Sequence, residues 1–122
     1  MKFDSDAFIS AFPLLLEGLV TTLYLILSSL VVGIVIGLLL CAGRLIGEGP
    51  AKVLAKLYVD VFRGLPETIL IFWIYFCGPF VFQASLSAFE SGVVSLALIA
   101  GAYLGEIFRA GVVAVPIGQR EA

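Results

Sequence analysis

The chain has 122 residues, 61% of them hydrophobic and 13% charged, with seven Lys+Arg, nine Asp+Glu and no histidine. Soluble domains run at roughly 45–50% apolar and ~25% charged, and a body this small has too much surface to cover with so little polar material. Together with a mean hydropathy of +1.17, this reads as a membrane protein; it excludes a soluble enzyme, an acidic disordered segment and a disulfide scaffold, and a net charge of −2 leaves no basic footprint for nucleic acid.

Residues 1–17 carry Asp4, Asp6 and Glu17 against Lys2 alone. That balance is wrong for a signal peptide, and the apolar run that follows is too long for one. The run from Gly18 to Gly43 holds no charge. At 1.5 Å per residue it reaches roughly 39 Å as a helix, enough to cross a ~30 Å hydrocarbon core with tilt. Within it lies a GxxxG pattern, Gly33 and Gly37, which lets two helix backbones approach closely. A matching pattern, Gly101 and Gly105, falls in the third apolar run. Two readings stand for both: packing inside one bundle, or a face for a second copy.

The segment from Arg44 to Arg63 carries Arg44, Lys52, Lys56 and Arg63. The positive-inside rule therefore places it in the cytoplasm, with the 1–17 tail and the 78–91 loop outside. Lys52, Lys56 and Asp60 share one helical stripe, while Val53, Leu54, Leu57, Tyr58 and Val61 lie opposite. The pattern predicts an amphipathic helix, lying at the interface or running on into the next span.

Pro66 cannot donate to a helix ladder and disfavours helical geometry at Leu65, so the second span begins with a break. Glu67 follows directly, just inside the membrane and near a helix N-terminus, where the dipole favours a carboxylate. It reads either as a helix-start charge or, with Arg63, as part of a polar pathway, since ionisable groups at membrane depth face a cavity or the bundle interior. The uncharged run from Thr68 to Phe89 is interrupted by Gly78-Pro79, which predicts a helix end near Cys77.

The third run, Ser91 to Gly105, lengthens only by taking in Glu106. Arg109 stands three residues further on the same helix face, so the two predict a structural ion pair. Pro116 and Gly118 end the span on the cytoplasmic side. The expected fold is all-α, a polytopic transmembrane bundle with three spans in this chain. No histidine and no GxxxxGK[ST] loop are present, so neither a His-based catalytic site nor that nucleotide loop is expected, and the chain is read as non-enzymatic, with no metal or cofactor of its own. Cys41 and Cys77, at opposite bilayer faces in this topology, read as packing residues.

Tyr103-Leu104-Gly105-Glu106-Ile107-Phe108-Arg109-Ala110-Gly111, followed by Val115-Pro116-Ile117-Gly118-Gln119-Arg120-Glu121-Ala122, resembles the membrane subunits of bacterial ABC importers for polar amino acids. Arg63-Gly64-Leu65-Pro66-Glu67 with Ile74-Tyr75-Phe76 is similar to that family's RGxP…IYF signature. Leu15-Leu16-Glu17-Gly18-Leu19-Val20-Thr21-Thr22-Leu23 resembles its approach to the first span. The resemblance covers nearly the whole chain, with residues 18–122 as the permease domain.

It implies that Gly118, Gln119, Arg120, Glu121 and Ala122 open the cytoplasmic "EAA" loop, which docks on a partner ATPase subunit that binds the ATP. It further implies a second permease subunit, identical or related, a substrate-binding protein outside, an amino-acid substrate and a bacterial inner-membrane location. Members have about five spans in this core, so the resemblance implies a chain truncated at the start of that loop. An acidic residue after the RGxP proline resembles members assigned to basic substrates. The alternatives are a fragment of a secondary transporter and a small membrane anchoring subunit.

Overall fold

The computed structural model describes residues 5–116. They form four helices, α1 (Ser5–Leu45), α2 (Pro50–Gly64), α3 (Glu67–Phe82) and α4 (Ala88–Ala114), with no strand among the described residues. The Gly118–Ala122 segment lies outside them.

α1 spans 41 residues, roughly 60 Å of helix, so it extends well past the hydrocarbon core expected for residues 18–43. Several of its hydroxyls are satisfied internally. Thr21 donates to the Glu17 carbonyl at 3.0 Å, Thr22 to Gly18 at 2.8 Å and Ser29 to Leu25 at 2.6 Å. Such back-bonding lets polar side chains sit in an apolar span. α4 starts on a capping box, in which Ser87 Oγ accepts from the Glu90 amide at 3.2 Å and the Glu90 carboxylate accepts from the Ser87 amide at 2.7 Å. It ends at Ala114, two residues before Pro116, where the missing N–H and restricted preceding residue stop a helix.

α1 and α4 form the main interface and run in the same direction. A Cβ on Gly92 would meet Leu25 at 3.0 Å, one on Gly33 would meet Ala100 at 2.9 Å, and one on Gly37 would meet Leu104 at 2.9 Å. Contacts that advance together along both chains define parallel helices. The segment between them must therefore bring the chain back to the starting side. Neither α2 nor α3 is long enough alone: α3, with 16 residues, reaches only about 24 Å. The two meet at a bend of 103° across the Leu65–Pro66 break and return the chain together as one broken crossing. The result is the three-span helical arrangement expected from the charge and hydropathy pattern.

One expectation is corrected. Gly78-Pro79 does not end the second span: α3 continues through Pro79 to Phe82 and stops at Gln83, which adopts the left-handed conformation (φ 54°). Proline costs a helix one backbone hydrogen bond, and membrane helices tolerate it where neighbouring groups re-satisfy the carbonyl; Gly78 beside it is buried. The amphipathic segment is helical as expected; within the bundle it covers Ala55 and Val59 with half-buried Tyr58, and Val53, Leu54, Leu57 and Val61 are exposed. α2 touches α1 and α4 across a narrow strip, so only a few of its apolar residues are covered. The start of α2 falls on Gly49, whose φ of 53° suits a residue without a Cβ.

Candidate functional site

α4 is the common wall of the bundle: it packs on α1, α2 and α3, while α1 and α3 do not pack on each other. A cleft opens between those two. It is lined by Ile26, Ser29 and Leu30 of α1, Glu67 at the start of α3, and Leu96, Ile99, Ala100 and Tyr103 of α4, with a volume of about 260 Å³. Pockets that enclose drug-sized ligands run at about 300–1,000 Å³, so this one suits a small polar molecule or part of one. Its position follows from the break: α2 stops at Gly64 and α3 starts at Glu67. The α3 N-terminus therefore stands beside residues 26–30, near the middle of the 18–43 apolar run, instead of at a membrane surface.

Glu67 supplies the cleft's one carboxylate and has no hydrogen-bond or ion-pair partner among the described residues. Arg63, on the last turn of α2, lies with its guanidinium carbon 5.3 Å from the centre of the Tyr103 ring. The structure thus brings Arg63 and Glu67 to the same break, with Tyr103 between α2 and the cleft.

At the other end of α4, Arg109 donates to Glu106 through Nε at 3.1 Å and Nη2 at 2.5 Å. The second Glu106 oxygen accepts from Arg44 at the end of α1. The sequence reading missed this third member, because Arg109 already supplies a local partner at helical spacing. The available signal was that Arg44 and Glu106 each close an uncharged run on the same expected side.

Gly33, Gly37, Gly101 and Gly105 come together in one interface. A Cβ on Gly101 would stand 2.5 Å from Ile36 Cγ2, and one on Gly105 would stand 3.1 Å from Leu40 Cβ. Both GxxxG patterns are consumed in packing α1 on α4, which removes the observation that had favoured a face for a second copy. Cys41 is buried and Cys77 half-buried, both as free thiols, and no group of three or more acidic or cysteine side chains among the described residues could hold a metal ion.

Parallel apolar helices, a broken third crossing and an unpaired carboxylate in a cleft part-way along the bundle define a polytopic helical membrane fold. Over all 122 residues the chain is 35% identical to the arginine transport system permease protein ArtQ of Bacillus subtilis. It is 37% identical, over 123 aligned positions, to the glutamine transport system permease protein GlnP of Escherichia coli. It spans 56% of each of these relatives. The crystal structure of an amino acid ABC transporter with histidines superposes at a TM-score of 0.88 with 35% identity, covering 99% of this chain and 56% of that one. No family model matches the chain. Over its whole length the chain is similar to permease proteins of amino-acid ABC transporters, and it spans about half the length of the curated relatives it matches.

Proposed function

We propose that this chain is part of the membrane permease of an ATP-driven importer for a polar, cationic amino acid, and that the cleft at the α2–α3 break forms part of the route. The observation that carries the reading is Glu67: an unpaired carboxylate in a cleft of an otherwise apolar bundle. A charge held at that depth is costly unless it meets water or a counter-ion, and the cationic end of a substrate supplies one. The relatives are named for arginine and for glutamine, which share an α-amino and an α-carboxylate group. In the cleft Glu67 would take a cationic group, while Arg63 at the rim would take a carboxylate.

The same reading places the permease in a bacterial inner membrane, N-terminus outside, with the 44–63 segment and the end of α4 in the cytoplasm, following the basic residues. A second permease subunit faces it, identical or related. A substrate-binding protein delivers from outside, and a partner ATPase binds the ATP and docks on Gly118–Ala122. The chain performs no chemistry of its own; it binds, orients and releases.

The test is uptake by the whole permease in proteoliposomes with its ATPase and binding protein, using labelled L-arginine and L-glutamine. Glu67→Gln is expected to lower arginine uptake about tenfold and glutamine uptake no more than twofold, for the loss of one charge-assisted contact. An equal loss for both overturns the assignment of the cationic substrate.

A further inference from the structure

The break that creates the cleft also frees backbone carbonyls part-way along the bundle, on its exposed side. Leu65 is extended (φ −86°, ψ 134°) and Pro66 has no N–H, so the last turn of α2 loses the donors that a continuing helix would supply. Water solves this at a surface; at membrane depth the carbonyl needs a protein partner. α4 supplies it. The Tyr103 hydroxyl lies 3.5 Å from the Arg63 carbonyl oxygen, and its ring carries the Arg63 guanidinium at 5.3 Å. Five residues earlier on each helix the exchange is reversed: Tyr58 of α2 donates to the Leu98 carbonyl of α4 at 3.0 Å. Tyr58 is itself stacked on Phe62, ring centres 4.3 Å apart, which stiffens the turn leading into the break. α2 and α3 do not pack on each other, and each is held through α4.

We infer that Tyr103 is the positioning residue of the break: by holding both the carbonyl and the guanidinium of Arg63 on α4, it fixes where α3 begins and hence where the Glu67 carboxylate stands in the cleft. Tyr103 lines that cleft beside Glu67, so a displacement of α4 along its axis carries the break with it. The role deepens the proposed function and rests on Glu67 being a pathway residue.

Two measurements on the whole permease in nanodiscs separate the inference from that reading. The first is amide hydrogen exchange in Tyr103→Phe, which keeps the ring and removes the hydroxyl. Peptides covering 62–70 are expected to exchange about two- to tenfold faster while those covering 20–35 of α1 are unchanged, as loss of one hydrogen bond implies. The second is labelled L-arginine uptake with partners present. KM is expected to rise about fivefold with kcat unchanged, and Tyr103→Phe is expected to add nothing further in a Glu67→Gln background. Unchanged exchange at 62–70, or a full additional loss in the Glu67→Gln background, overturns the positioning role. Faster exchange at 62–70 with KM unchanged in both single variants supports the clamp on the break and instead sinks the reading of Glu67 as a pathway residue.

Discussion

Arg44, the last-turn cation of α1, donates to the Glu106 carboxylate of α4 across 62 positions of sequence, and Arg109 holds the other oxygen of the same carboxylate. One acid thereby fastens two parallel helices at the same end of the bundle. The three side chains are 16–32% exposed, so the cluster is neither fully desolvated nor screened as a surface pair would be. α1 and α4 thus have two kinds of attachment: glycine-based contact along the middle and charge at one end.

The asymmetry of this cluster fixes the outcome of substitution. Glu106→Gln leaves two guanidinium groups facing each other without a counter-ion, whereas Arg44→Met leaves the Glu106–Arg109 pair intact. Thermal unfolding in detergent is expected to show a loss of about 2 kcal/mol for the first and under about 1 kcal/mol for the second. An equal loss in both would show that the Arg44 arm, not the carboxylate, holds the helices.

Gly101 presents the tightest approach in the interface, with Ile36 Cγ2 2.5 Å from where a Cβ would stand. A methyl group there forces α1 and α4 apart or Ile36 out of its place. Gly101→Ala is expected to destabilise the bundle by about 1–3 kcal/mol, measured by the same unfolding assay. Pairing it with Ile36→Ala removes the nearer colliding atom, Cγ2, and keeps the Ile36 Cβ 2.8 Å away, so it is expected to recover part of the loss. Failure of the double variant to recover at all would place the strain in the contact with Ile36 Cβ, which alanine keeps.

The spans, the break before Glu67 and the C-terminal end of α4 were legible because each is dictated locally, by uncharged runs and by prolines without an N–H. The course of α3 past Pro79 was not, because local rules count the lost hydrogen bond but not the bundle that tolerates it. Which residues of α2 are covered within the bundle was not legible for a related reason. Periodicity separates Lys52 and Lys56 from Val53 and Leu57, yet only the crossing geometry decides that Ala55 and Val59 meet α1 and α4. The tyrosines at 58 and 103 carry no sequence signal for their contacts, since each partner is a backbone carbonyl 40 positions away.

Gly118 and Glu121 lie beyond the described residues, and their coupling role rests on the resemblance of that segment to the EAA loop. In the whole permease assembled with its ATPase, Glu121→Gln and Gly118→Val are expected to reduce substrate-stimulated ATP hydrolysis at least fivefold while membrane insertion stays normal. Wild-type transport by both variants would remove the assignment of this segment to the ATPase contact.

Pro66 tests whether the break itself matters. Pro66→Ala restores an N–H and lifts the steric restriction on Leu65, so the helix can continue from α2 towards α3. A continuous helix, however, cannot make the 103° bend, and straightening it would pull Glu67 out of the cleft formed with Ser29 and Tyr103. The contacts of α2 with α1 and α4, and of α3 with α4, oppose that straightening. The bend is therefore expected to persist in part, with a stability change within about 1 kcal/mol and a substrate affinity lowered about fivefold or more. The affinity is read as the KM for L-arginine uptake, with unfolding followed in parallel. An unchanged KM would show that tertiary contacts alone hold the bend and that the proline is dispensable to the position of Glu67.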